Sequence, residues 1–375
     1  MLHAPTQEPE PTTPGRTQTS VVVIGAGLIG LSCALHLARD GHRVVVLDAS
    51  REPQESSWAA AGMLAPHHES EQPSPLWQLC ADSLAYWPEF LAGIGLPRAA
   101  ADWHDGGGWI RARSVAELDQ LEASLRWLRS TGTDVLRLSP AAYSRACPGA
   151  DPGVGALWLP GAQVDPRLVL PSLRTACRAA GVVEQCGSPV VALEANVVTT
   201  ADGLHHACNE VLLASGAWTP ALAALTGVRL GGAPVKGQMV RLNGPCRLPG
   251  FVREGHRYLM SRQDGSVVVG ATMVEAGFDR SEDAAAINEL AAWAAEAVPA
   301  LRTSTVSESW TGLRPRLASG MPAIGRVRPG LLLTTGHFRN GVLLAPITGS
   351  IISCLISGRD PGVPALVFDP SAVVG

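Results

Sequence analysis

The feature that most constrains this chain is a glycine pattern at the end of its first apolar run. Val21-Val22-Val23-Ile24 leads straight into Gly25-x-Gly27-x-x-Gly30. An all-apolar run of this kind reads as a parallel strand with helices on both faces of its sheet. Each glycine then has its own task. Gly25 permits the tight turn, Gly27 lets the backbone approach a pyrophosphate, and Gly30 lets the next helix pack close to the strand. That helix is predicted from about Gly27 to Asp40, with Gly41 as its left-handed stop. Its free N-terminal amides and positive dipole face the phosphates. The second strand, Val44-Val45-Val46-Leu47, ends at Asp48. A carboxylate there suits ribose hydroxyls and disfavours a 2′-phosphate, which argues against NADP.

Later segments decide which dinucleotide is held. The run Ser56-Ser57-Trp58-Ala59-Ala60-Ala61-Gly62-Met63-Leu64 is rich in small residues. Such a run admits a bulky ring system close to the backbone, which a plain NAD domain does not require. The turn Ala214-Ser215-Gly216-Ala217-Trp218 ends a strand where it could pass beside the cofactor. Thr335-Gly336-His337-Phe338-Arg339-Asn340-Gly341 precedes an apolar helix over about Val342 to Ile356. A second helix N-terminus placed there stabilises negative charge. These features point to FAD.

Other elements are legible at lower resolution. Ser114 and Glu117 form a capping box, followed by Leu118, Leu121, Leu125 and Leu128 on one helical face and closed by Gly132. Ser281 is expected to cap another helix, with Glu282 and Asp283 in its first turn. Short alternating runs between 230 and 273 predict antiparallel strands. The apolar runs Val211-Leu212-Leu213 and Leu331-Leu332-Leu333 look like central strands rejoining the first sheet. The expected class is α/β: a Rossmann-like FAD-binding domain assembled from discontinuous segments, plus an antiparallel-sheet substrate domain. The expected segments are 20–84, 155–220 and 308–360 for the cofactor, and 85–154 and 221–307 for the substrate. Residues 1–19 and 361–375 read as terminal tails, the first of them disordered.

Bulk properties narrow the partners. A net charge of −4 and a pI near 6.2 give no electrostatic reason to bind nucleic acid or an anionic membrane. No apolar run approaches the roughly 20 residues of a membrane span. A basic signal-peptide start is missing, so a cytoplasmic chain is expected. The eight cysteines are scattered without a C-x-x-C pair, which argues against a metal site and a disulfide framework.

Over nearly its whole length, from Ser20 to about Gly358, the chain resembles the D-amino-acid oxidase superfamily of flavoenzymes, and most closely the glycine oxidases of thiamine biosynthesis. The segments that carry the resemblance are Ala60-Ala61-Gly62-Met63-Leu64, Pro234-Val235-Lys236-Gly237, Val269-Gly270-Ala271-Thr272-Met273, Gly312-Leu313-Arg314-Pro315 and Gly336-His337-Phe338-Arg339-Asn340-Gly341. The resemblance implies that Arg314 clamps a substrate carboxylate, whose geometry a planar guanidinium matches with two parallel hydrogen bonds, and that Tyr258 assists. It places His256, Met273, Arg339 and Met63 at the substrate pocket. Gly25, Gly27, Gly30, Asp48, Ala61, Gly62, Met63, Val190, Gly216, His337, Arg339, Asn340 and Gly341 then hold the cofactor. Ser309-Trp310-Thr311-Gly312 lacks the cysteine to which sarcosine oxidases attach FAD, which implies noncovalent FAD. Arg316 departs from the small residue expected two positions after the clamp. The implied reaction is oxidation of a small amino acid, glycine foremost, with molecular oxygen as acceptor. Sarcosine, D-amino acids, cyclic imino acids, a quinone acceptor, and a non-catalytic flavoprotein subunit remain open at this stage. The resemblance also implies a homo-oligomer.

Overall fold

The computed structural model describes residues 18–52, 54–70, 72–244, 246–362 and 368–372. Up to residue 17, the expected N-terminal tail lies outside the described residues. The first sheet has six strands in the order Ala323–Arg328, Leu331–Thr335, Glu210–Leu213, Ser20–Ile24, Arg43–Asp48 and Val183–Cys186. All its neighbours run parallel except the antiparallel pair at the Ala323–Arg328 edge. Val21, Val22, Val23 and Ile24 are each at most 4% exposed, as a strand covered on both faces must be. Burying each such side chain contributes about 1.5–3 kcal/mol. The two late apolar runs do pair beside the first strand, Val211 opposite Leu331.

Helix Leu28–Arg39 follows the first strand and packs against the helices Gly341–Ile356 and Pro166–Ala179. With the preceding short turn, the C-terminal helix spans Phe338–Ile356. By length and composition alone it would cross a membrane, contrary to the sequence expectation. Leu343, Leu344, Ala345 and Ile352 are at most 1% exposed, however, and the helix packs against Leu28–Arg39 and Pro75–Gly93. It is apolar because protein surrounds it. Phe368, in the expected C-terminal tail, is 1% exposed and packs into the same core.

The second sheet has eight strands in the order Thr305–Leu317, Gly232–Asn243, Ser266–Gly270, Arg257–Ser261, Phe251–Glu254, Gly108–Arg111, Ala156–Leu159 and Leu136–Leu138. It is antiparallel except for the parallel pair Phe251–Glu254 and Gly108–Arg111. Strands Ala156–Leu159 and Thr305–Leu317, expected on the cofactor side, hydrogen-bond into this larger sheet. The longest pairing runs from Gly232 opposite Leu317 to Asn243 opposite Thr305. It sets Val235 across from Arg314 and carries the strand back toward the cofactor side.

Two helix ends differ from the sequence reading. Ser114 caps helix Val115–Ser124 as predicted, but Arg126–Thr131 tightens into a 3₁₀ turn before Gly132, so the predicted single helix is two pieces. Leu125 and Leu128 remain buried. The later helix, Ala284–Ala297, is capped by Asp283, whose carboxylate accepts from the Ala285 amide at 2.8 Å. Ser281 is not the cap, because its hydroxyl is spent on Asp279 at 2.8 Å.

Candidate active site

The carboxyl ends of Ser20–Ile24, Arg43–Asp48, Glu210–Leu213 and Leu331–Thr335 meet three strands of the larger sheet around a cavity of about 630 Å³. The carboxyl edge of a parallel sheet is where such folds bind ligands. Gly25 and Gly27 line the cavity. Gly30 lies beneath the lining, where any side chain would collide with the Gly25 carbonyl. It serves helix–strand packing, as its place in the pattern demands. The N-cap of helix Leu28–Arg39 is Gly27, which has no side chain to offer, and Ser57 Oγ takes the Leu28 amide at 3.0 Å.

Asp48 also lines the cavity. Its Oδ2 accepts from the Ala26 amide and its Oδ1 from the Ser50 amide, both at 2.8 Å. The carboxylate therefore shapes the turn as well as facing the ligand, and each oxygen keeps a lone pair for a further donor. Ala61, Gly62, Met63, Val190, Gly216, His337, Arg339 and Gly341 complete this wall among the expected residues. Gly62 has φ +86°, and a side chain there would run into the Val164 carbonyl. Burial pushes the His337 imidazole down to about 4, so it is neutral, with Nε2 3.2 Å from Thr348 Oγ1. Asn340, expected in contact with cofactor, is instead the N-cap of Gly341–Ile356 and is absent from the lining. Its side chain makes no cap, so a second helix N-terminus reaches the cavity at Gly341. Among the described lining residues the only cations are Arg314 and Arg339. Both lie away from the glycine turn in the chain. Phosphates at that turn would be met by backbone amides and helix dipoles. A dinucleotide fits this donor set, with an acid at one end and a small-residue wall at the other.

The substrate-facing end is built from side chains. Arg314 projects from Thr305–Leu317, and Gly237 on the neighbouring strand leaves room for it: a side chain there would strike the guanidinium. Arg314 Nη1 donates to the Thr272 carbonyl at 3.0 Å. Among the described residues no carboxylate lies within 4.0 Å of it. Burial lowers its pKa, with Tyr258 opposing that shift. Tyr258 is 8% exposed and lines the cavity, its hydroxyl 3.6 Å from Met239 Sδ.

Arg339 has the opposite status. Its Nε and Nη2 donate to Glu69 Oε2 and Oε1 at 2.7 and 2.9 Å, and Nη1 sits 3.5 Å from Met273 Sδ. Glu69 lies 3.3 Å from Arg253 as well. Burial alone would raise the Glu69 pKa, but Arg253 and Arg339 override it and hold the carboxyl below its ordinary range. Glu69 lines the cavity and was not anticipated from sequence. Neither Met239 nor Ser57 was singled out, though both line the cavity. An acid five residues after the end of the small-residue run at Leu64 was the one available signal for Glu69. His256 and Met273, expected in the pocket, are not in its lining: His256 is exposed in the turn before Arg257–Ser261, and Met273 is 48% exposed over Arg339. Arg316 turns away to pair with Glu275.

Residues 20–355 match the family model described as FAD dependent oxidoreductase, DAO. The chain belongs to that family. This FAD-dependent oxidoreductase is 34% identical to a glycine oxidase of Pseudomonas putida, the match covering 95% of this chain and 99% of that one. It is 30% identical to the glycine oxidase of Geobacillus kaustophilus, across 95% of this chain and 97% of its relative. A crystal structure of glycine oxidase from Geobacillus kaustophilus superposes with a TM-score of 0.88 at 28% identity, covering 94% and 98% of the two chains. An iminodiacetate oxidase from Chelativorans sp. superposes with a TM-score of 0.86 at 27% identity, covering 93% and 98%.

Proposed function

We propose that this enzyme oxidises the C–N bond of a small amino acid, glycine foremost. The product imine is hydrolysed to glyoxylate and ammonia, oxygen is reduced to hydrogen peroxide, and the reaction serves thiamine thiazole biosynthesis. The observation that carries the reading is Arg314, a largely buried guanidinium facing the cavity with no carboxylate paired to it among the described residues. An unpaired buried cation is costly unless a ligand supplies the anion. A substrate carboxylate does so, with Tyr258 lending its hydroxyl beside it. Fixing the carboxylate fixes the α-carbon, which lowers the entropic barrier to its oxidation. Bound noncovalently, FAD supplies the two-electron acceptor and its reoxidation by oxygen. Tyr258, Met239 and Met63 pack in one cluster on the wall of the cavity that Arg314 lines, which favours a substrate with little or no side chain. The helix N-terminus at Gly341 lines the same cavity, and its dipole would favour negative charge on a flavin held there.

Oxygen uptake with glycine, sarcosine, D-alanine and D-proline tests the reading. Uptake with glycine, accompanied by stoichiometric peroxide and glyoxylate, is expected. Uptake with none of the four, or with D-proline alone, refutes it.

A further inference from the structure

Two largely buried arginines line one cavity, and among the described residues only one of them has a carboxylate partner. Arg314 has none among the described residues, whereas Glu69 engages two donors of Arg339 on one edge of its guanidinium. The Glu69 and Arg339 side chains are each 12% exposed, so the pair is little screened by water. Glu69 is itself fixed from two sides, since Arg253 lies 3.3 Å away and also donates to the His68 carbonyl. Swinging this carboxylate aside would take from two largely buried guanidinium groups, Arg253 and Arg339, their one carboxylate partner among the described residues.

We propose that Glu69 sets the charge specificity of the pocket: by occupying Arg339 it leaves Arg314 as the sole carboxylate receptor, so the site accepts ligands with one carboxylate and rejects those with two. A second carboxylate, directed toward Arg339, meets a guanidinium already paired and a fixed negative charge in the wall. Like charges brought together in a site of low dielectric repel strongly. This inference rests on Arg314 receiving the substrate carboxylate. It adds that the neighbouring cation is closed to a second one. Removing the Glu69 charge while keeping its shape would open Arg339 to that carboxylate.

The test uses inert ligands, so that it reads without turnover. The FAD-loaded enzyme is titrated with diglycolate, a dicarboxylate, and with its monoamide, which has nearly the same shape but only one carboxylate. Binding is followed by perturbation of the flavin absorbance. The wild type is expected to bind the monoamide at least tenfold more tightly than the diacid. In Glu69→Gln that ratio should shrink at least tenfold, through tighter binding of the diacid. Equal affinity for both ligands in the wild type overturns the proposal even if the variant fails to fold. An unchanged ratio in a folded, FAD-loaded Glu69→Gln overturns it as well. Failure of the oxidation reading shows separately, as ligand binding without flavin reduction by any of the four amino acids.

Discussion

At the dinucleotide end of the cavity the wall is largely backbone: Gly25, Gly27 and Gly62, the starts of two helices whose N-cap residues supply no side-chain cap, and the turn that Asp48 holds through the Ala26 and Ser50 amides. At the other end it is side chain: Arg314, Tyr258, Glu69 and Arg339, with Met63 and Met239 packed in the cluster of Tyr258. The difference teaches how binding and selectivity are divided. Backbone amides and dipoles recognise a phosphate wherever the glycines permit close approach. Selectivity among small amino acids needs charges whose partners are individually chosen, as the contrast between Arg314 and Arg339 illustrates. If the division is sound, changes at one end should move one property and spare the other.

The largest effect is expected at Arg314. Arg314→Ala should lower kcat/KM for glycine by about 3–5 kcal/mol, roughly 10²–10⁴-fold, because the substrate carboxylate loses its buried partner. FAD content, read from the visible spectrum of purified protein, should not change. The reverse pattern is expected for Gly30→Ala. A methyl group driven into the Gly25 carbonyl costs about 1–3 kcal/mol of packing, so roughly tenfold or more of FAD affinity should go. Glycine turnover per bound flavin should survive. Tyr258→Phe removes one hydroxyl and should raise KM for glycine by about 1 kcal/mol, roughly fivefold, with FAD retention intact.

The smallest effect separates the two ends by pH. Burial pushes the His337 pKa down to about 4 from 6.5. Between those values the unfolded chain binds a proton that the native chain does not, so stability falls as pH drops through that window. The Glu69 carboxyl titrates below its ordinary 4.5, and its contribution is lost only as pH falls further. Thermal melts from about pH 7 to about pH 5 should therefore fall in Tm, with a shallower slope in His337→Asn and an unaltered one in Glu69→Gln. Identical slopes in all three proteins would contradict the His337 assignment.

The same division explains what could be read from the chain before its structure. Gly25, Gly27, Gly30 and Asp48 were legible because a strand–turn–helix unit is local: spacing along the sequence is spacing in space. Gly30 even serves the packing role its position predicts, outside the cavity. The expected wall at Ala61, Gly62 and Met63 was legible for a similar reason, since small residues in a row have few other uses. The substrate end combines Glu69, Tyr258, Arg314 and Arg339 from four distant segments. Their pairing depends on strand register, which sequence alone does not state. That is why the sequence does not single out Glu69, and why only the fold shows Arg316 paired with Glu275. His256 lies two residues before Tyr258 in the turn that leads into its strand, and Met273 covers Arg339 from outside, so both approach the cavity without lining it. Ser281 failed as a cap for a comparable reason, a neighbouring acid having claimed its hydroxyl.

The most direct measurement adds glycine, without oxygen, to the FAD-loaded wild type and to FAD-loaded Arg314→Ala, while the flavin absorbance is recorded. The wild-type flavin should bleach, and the variant, carrying the same amount of FAD, should stay yellow at the same glycine concentration. A wild type that none of the small amino acids bleaches, or a variant that bleaches as readily as the wild type, would contradict the assignment of this cavity to a flavin at one end and an arginine-held amino acid at the other.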